Sequence, residues 1–248
     1  AVMIFPLIFR ERKGEKLLPW TKGKSMLPGE ITSVRNPLSV LNNLLKGFSL
    51  KATFMGAIFL LTASVGDGIN GAILPVLFMQ NLQWEPDTYS QVVGGLGTIL
   101  EVFGALLGGF LADRMGRRKI ITAGYGGFAI VAIIFGVLSI HWENTAFASA
   151  YLVTYPFFRA LGAVAIFSLF MHISWTKSAA TMFTSYMAFS NMSSTMGSKI
   201  AGYIKDWIPF DMTFILLGVL AFIPLIFLIW INPDSIAKVK GPDSSIET

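Results

Sequence analysis

The sequence predicts an all-α integral membrane protein with six transmembrane helices. Three observations carry that reading. The 248 residues are 54% hydrophobic and only 13% charged, against roughly a quarter charged in an average soluble domain, and mean hydropathy is +0.64. Apolar runs of about 20 residues, long enough to cross a ~30 Å hydrocarbon core, recur along the chain between short polar turns. Lysine and arginine collect at the ends of these runs, mostly on one side.

Composition also excludes chemistries. With 0 cysteines there is no disulfide framework, haem attachment or thiolate metal site, and His141 and His172 lack a second ligand at helical spacing. Neither metal nor cofactor is expected. The net charge of +5 does not point to nucleic acid, because the cations are not interleaved with stacking aromatics on a soluble domain. No phosphate-binding loop and no His-Glu-x-x-His pair occurs, so neither ATP-driven pumping nor an enzyme is expected.

The chain begins with an apolar stretch, residues 1–9, that reaches less than half of the hydrocarbon thickness at about 1.5 Å per residue. It reads as the end of a preceding transmembrane helix. The charges of Arg10–Lys16 follow the apolar run instead of preceding it, which argues against a signal peptide. Residues 10–51, with Pro19, Gly23, Pro28, Gly29 and Pro37, read as a cytoplasmic linker. Near its end Leu41, Leu44, Leu45 and Phe48 share a helical face opposite Asn42, Asn43 and Lys46. That stretch is either an interfacial helix or a continuation of the linker.

The bundle occupies residues 52–232, with spans expected near 52–80, 89–112, 119–140, 146–172, 178–204 and 211–231. Trp84-Glu85-Pro86, the polar stretch from His141 to Asn144, and Lys205-Asp206 with Pro209 supply turns. Connections this short make consecutive helices antiparallel neighbours. Residues 233–248 form a polar tail. The cation bias, with Arg10 to Lys51, the turn at 114–119, Lys177, Lys238 and Lys240 on one side, places both termini in the cytoplasm. The last span has almost no polar side chains and is expected to face lipid.

Ionisable groups inside a span cost roughly 2.5 kcal/mol or more, so each needs a reason. Asp67 lies about 22 Å along the first span, sharing a small and polar face with Ala63, Ser64, Asn70 and Gly71. Gly66, Gly68 and Pro75 weaken the helix around it, as where a membrane helix bends at a binding site. Glu101, near the middle of the second span, shares a stripe with Gly94, Gly97, Gly104, Ala105 and Gly108. It therefore points at protein, either handling protons or substrate or locking helices through a buried hydrogen bond or ion pair. Arg159 in the fourth span cannot be neutralised in place, so it must meet carboxylates, carbonyls or an anionic substrate. In the fifth span Thr184, Ala188, Asn191, Thr195, Ser198 and Gly202 form a hydroxyl-and-amide stripe that suits either a polar cavity or interhelical contact. Lys199 reads as a cation that snorkels to the surface.

The second hairpin carries Gly109-Phe-Leu-Ala-Asp113-Arg114-Met-Gly116-Arg117-Arg118-Lys119. Gly116 permits a tight reversal and the cations hold the turn on one side of the membrane. Asp113, at the negative pole of a helix, needs compensation from a cation or a neighbouring helix N-terminus. The order resembles the major facilitator superfamily signature Gly-x-x-x-Asp-Arg/Lys-x-Gly-Arg-Arg/Lys. The resemblance implies one six-helix bundle of a two-bundle transporter, in which Gly109 allows close helix packing and Asp113, with Arg117 and a neighbouring helix end, latches one conformation. Arg114, Gly116 and Arg118 belong to the same gate.

Within that superfamily, Gly66-Asp67-Gly68 and the run from Ser178 through Thr181, Ser190, Asn191 and Gly197 to Ala201-Gly202 resemble the muropeptide permease and acetyl-coenzyme A transporter family. This implies the carboxyl-terminal half of a twelve-span, proton-linked permease in a bacterial inner membrane, lacking its amino-terminal six-helix half. Its cargo would be a small polar substrate such as a muropeptide or other sugar-peptide. Candidate coupling and substrate residues are Asp67, Asn70, Glu101, Arg159, Asn191 and Thr195. The competing reading is a non-transporting receptor, or an orphan half that needs a partner subunit.

Overall fold

The computed structural model describes residues 37–174 and 179–231. The expected helix remnant at 1–9, the linker as far as residue 36, the turn at 175–178 and the tail at 233–248 lie outside them. From Asn43 onward the chain forms one compact unit. Before it, only Pro37–Asn42, the start of a helix, is described.

Among the described residues the architecture is helical throughout. Helix α1, Pro37–Phe48, begins on a proline and ends in a hydrogen bond from Ser49 Oγ to the Lys46 carbonyl, 2.7 Å. The first span is α2, Lys51–Ala63, and α3, Val65–Val76, extended by a π-helical turn at Leu77–Asn81. The second is α4, Pro86–Gln91, a π-helical turn at Val92–Gly97, and α5, Thr98–Met115. Then follow α6, Arg117–Val137; α7, Thr145–Ile173; α8, Ala179–Ile204; and α9, Phe210–Leu228.

Among the described residues, five segments are long and apolar enough to cross a membrane: Lys51–Asn81, Pro86–Met115, Arg117–Val137, Thr145–Ile173 and Phe210–Leu228. Each matches an expected span to within three residues at either end. Helix α8, the sixth expected span, has 26 residues and so reaches about 39 Å. Its serines, threonines and asparagine make it too polar to stand with the other five by composition.

The helices pack through small residues. Gly104 and Gly108 of α5 lie on the backbone of α7 at Phe157 and Leu161, and Gly124 of α6 lies on Gly162 of α7. Gly136 and Gly218 bring α6 and α9 together, and a Cβ on either would come 2.6 Å from a backbone oxygen, of Asp211 or Ala129. Such approaches are the usual glue of helices in lipid, where burial of apolar surface offers no drive for association. Aromatic rings fill the space above, with Phe135 stacked on Tyr151 at 4.1 Å and edge-on to Phe214 at 4.9 Å.

Two expectations change here. Helix α9 does not simply face lipid: Thr213, Phe214, Leu217, Gly218, Ala221 and Leu228 are buried, chiefly against α6, while Met212, Val219, Phe222 and Ile226 are exposed. Its uniformly apolar sequence hid a packing face made by Gly218 and Ala221. In the second span, Gly97, Gly104 and Gly108 pack on other backbone, whereas a Cβ on Gly94 would meet nothing within 4 Å among the described residues.

Candidate functional site

The site begins with a break in the first span. Between α2 and α3, Ser64 leaves the helical region at φ −100°, ψ 6°, just before Gly66 and Gly68, which hold a helix weakly. Serines of α8 bond to this segment. The Ser64 N–H donates to Ser193 Oγ at 3.1 Å, the Ser64 and Ser190 hydroxyls share a 2.9 Å hydrogen bond, and Ser198 Oγ donates to the Gly68 carbonyl at 3.1 Å. Gly68 rests directly on the Ser194 backbone and Gly197 on that of Val65, so any side chain at either position would separate the helices.

The break turns Asp67, in the first turn of α3, towards α7. There Arg159 Nε lies 3.8 Å from Asp67 Oδ1, and Arg159 Nη2 is hydrogen-bonded to Glu101 Oε1 of α5. One guanidinium thus serves two carboxylates on two other helices. All three side chains stay partly open, at 39% for Arg159, 38% for Asp67 and 37% for Glu101. The trio carries a net charge of −1 when fully ionised, an arrangement that one added positive charge would balance.

Asp67 and Arg159 line a cavity of about 230 Å³. Its lining combines the polar Ser64, Ser190, Asn191 and Ser194 with the aromatic Tyr125, Phe128, Phe158 and Phe167. Such a hollow offers both hydrogen bonds to a polar cargo and flat apolar faces.

Of the residues singled out by sequence, Asp67, Glu101 and Arg159 come together and Asn191 joins the cavity wall. Two do not. Asn70 is 1% exposed and accepts a 2.7 Å hydrogen bond from the Tyr151 hydroxyl, so its amide ties α3 to α7 outside the cavity. Thr195 is exposed and spends its hydroxyl on the Asn191 carbonyl of its own helix, at 2.9 Å. Ser190, Ser194 and Tyr125 line the cavity although none stands among the candidate site residues. Their signal was present in the serines spaced four apart and the Tyr125-Gly-Gly-Phe128 step, but a stripe one residue away looked more polar.

At the basic turn, Gly116 takes φ 94°, a left-handed conformation that favours glycine, and ends α5 as α6 begins. Asp113 thus lies in the last turn of α5 and Arg117 opens α6. The expected pair is not formed among the described residues: Asp113 is exposed and Arg117 Nε donates instead to Ser168 Oγ of α7, at 2.8 Å. Arg114 lies over the Phe110 ring, 4.4 Å from its centroid, and Arg118 buries Nε and Nη2 with no partner among the described residues. Gly109 is not a point of forced approach, since a Cβ there would meet Val164 at an ordinary 3.5 Å; the close packing belongs to Gly104 and Gly108.

The family model for the Major Facilitator Superfamily matches residues 52–246. No curated protein and no solved structure matches the chain. The match covers every span, the broken helix with Asp67 and the basic hairpin, and it agrees with the all-helical, apolar architecture. The chain therefore belongs to the major facilitator superfamily and is an integral membrane protein of the transporter class.

Proposed function

We propose that the chain is the carboxyl-terminal half of a proton-coupled secondary transporter for a polar small molecule. The observation that carries this reading is the sharing of Arg159 between Asp67 and Glu101 at the wall of the cavity. A proton on Asp67 leaves the trio neutral and frees Arg159 from one carboxylate. An empty, charged trio resists enclosure in a low-dielectric bundle, whereas a protonated one crosses the occluded state at lower cost. Coupling follows if cargo and proton both favour that closed state.

An amino-terminal six-helix bundle would complete the cavity. The polar face of α8, with Thr184, Asn191, Thr195 and Ser198 exposed, supports this, because such a face is better suited to a second bundle or a water-filled path than to lipid. Both termini then lie in the cytoplasm of a bacterial inner membrane, as the cation bias favours. A lining that combines polar groups with aromatic rings is compatible with a sugar-peptide, in line with the resemblance to the muropeptide permeases. The test is uptake of a labelled anhydromuropeptide into proteoliposomes containing this chain and an amino-terminal half. Accumulation driven by an inward proton gradient is expected, and equal accumulation with and without the gradient would contradict it.

A further inference from the structure

A second hollow lies beyond the cavity, towards the basic end of the bundle. Arg117, Val164, Phe167, Ser168, Met171 and His172 line it. Phe167 lines both hollows, and Arg159, Ala163, Phe167 and Met171 follow one another at four-residue steps down one face of α7. Arg159 and Met171 thus share one face of α7, with the Phe167 ring between them bordering both hollows.

The outer hollow is cationic by construction. Arg117 is fixed by its bond to Ser168, which leaves the rest of its planar donor fork free for a carboxylate or phosphate oxygen. Arg117 makes no ion pair among the described residues, and the imidazole of His172 is exposed beside it. The nearest carboxylate in sequence, Asp113, does not line the hollow. Ser168 lies nine residues beyond Arg159, so the two guanidinium positions are roughly 14 Å apart along the helix. That interval suits successive stations for one anionic group.

We infer that Arg117 and His172 form an anion-binding station at the cytoplasmic mouth, that Phe167 is the barrier between it and the Arg159 cavity, and that the cargo carries a carboxylate or phosphate group. The inference rests on the transport reading above for the identity of its ligand as cargo, but the station itself is testable without transport. The absence of cysteine makes the native chain the background for thiol labelling.

The full chain carrying Met171→Cys is labelled in phosphatidylcholine nanodiscs with an anionic and a cationic methanethiosulfonate, each rate normalised to that of 2-mercaptoethanol. The anionic reagent is expected to be favoured roughly tenfold, the effect of one charge a few ångströms away in a wet site. Arg117→Gln with His172→Gln should bring the ratio close to one, Arg117→Lys should retain it, and Lys119→Gln, a charge on the same turn, should leave it unchanged. A ratio near one in the parent, or one equally lowered by Lys119→Gln, overturns the station. Labelling at Ala163→Cys should accelerate several-fold when Phe167→Ala is added, and no acceleration overturns the barrier. Adding phosphatidylglycerol to the nanodiscs should not change Met171→Cys labelling; slowing there would assign the station to a lipid headgroup and overturn the cargo assignment. Loss of proton-driven uptake with the charge ratio intact would refute transport and leave the station standing.

Discussion

Arg159 Nε on α7 stands 3.8 Å from Asp67 Oδ1 on α3, while its Nη2 is held by Glu101 on α5. Three of the helices are thus joined by one cation. An arginine in this position cannot shed its charge, and each acid depends on it for compensation.

Removing the cation should therefore cost more than removing one acid. Arg159→Gln is expected to lower stability by about 1–2 kcal/mol, the open side of the trio reducing the 3–5 kcal/mol of a fully buried broken pair. Adding Glu101→Gln to Arg159→Gln should recover part of that loss. A double-mutant cycle from thermal or denaturant unfolding in nanodiscs measures the coupling; strictly additive effects would mean the two side chains do not interact.

The crossing of α3 and α8 makes a steric prediction. Gly68→Val or Gly197→Val forces a side chain into the opposite backbone and should destabilise by roughly 1–3 kcal/mol. Gly71→Ala, where nothing lies within 4 Å, should be neutral or stabilising by up to about 1 kcal/mol through helix propensity. Melting temperatures of the purified variants test the contrast.

Ser193 supplies the acceptor for the Ser64 N–H where α2 gives way to α3. Ser193→Ala should cost about 1 kcal/mol, and hydrogen exchange at the Ser64 amide should quicken. Ser185→Ala, whose hydroxyl only back-bonds to Thr181 of the same helix, should leave that exchange unchanged.

The side of the membrane on which the turns lie is directly measurable. A cysteine at Asn144, in the turn between α6 and α7, should react with an impermeant maleimide applied outside spheroplasts, and one at Gly116 only after permeabilisation. The reverse pattern would invert the orientation drawn from the cation bias.

Much of the bundle was legible because hydrocarbon thickness imposes a length on each apolar run that does not depend on packing. Asp67, Glu101 and Arg159 were legible for a related reason: the cost of a charge in lipid demands partners whatever the local register. Neutral polar residues carry no such demand. Asn70 shares a helical face with Asp67, yet Tyr151 takes its amide out of the cavity, and Thr195 turns its hydroxyl on its own helix. On α8 the cavity wall is made by Ser190, Asn191 and Ser194, so of the expected stripe Asn191 reaches it and Thr195 does not. A step of one residue is about 100° around a helix, and the neighbour that settles the choice is the Ser64 break, a tertiary feature. Asp113 and Arg117 stand on either side of the Gly116 reversal, and the bond of Arg117 to Ser168 is a contact between helices that no local pattern announces.

The most direct test of the coupling role assigned to Asp67 separates its two consequences. With both halves in proteoliposomes, Asp67→Asn should keep cargo exchange down no gradient, since binding and closure survive, while proton-driven accumulation falls by roughly tenfold or more, a barrier change of about 1.4 kcal/mol. Accumulation in Asp67→Asn equal to that of the parent, under the same proton gradient, would contradict the account.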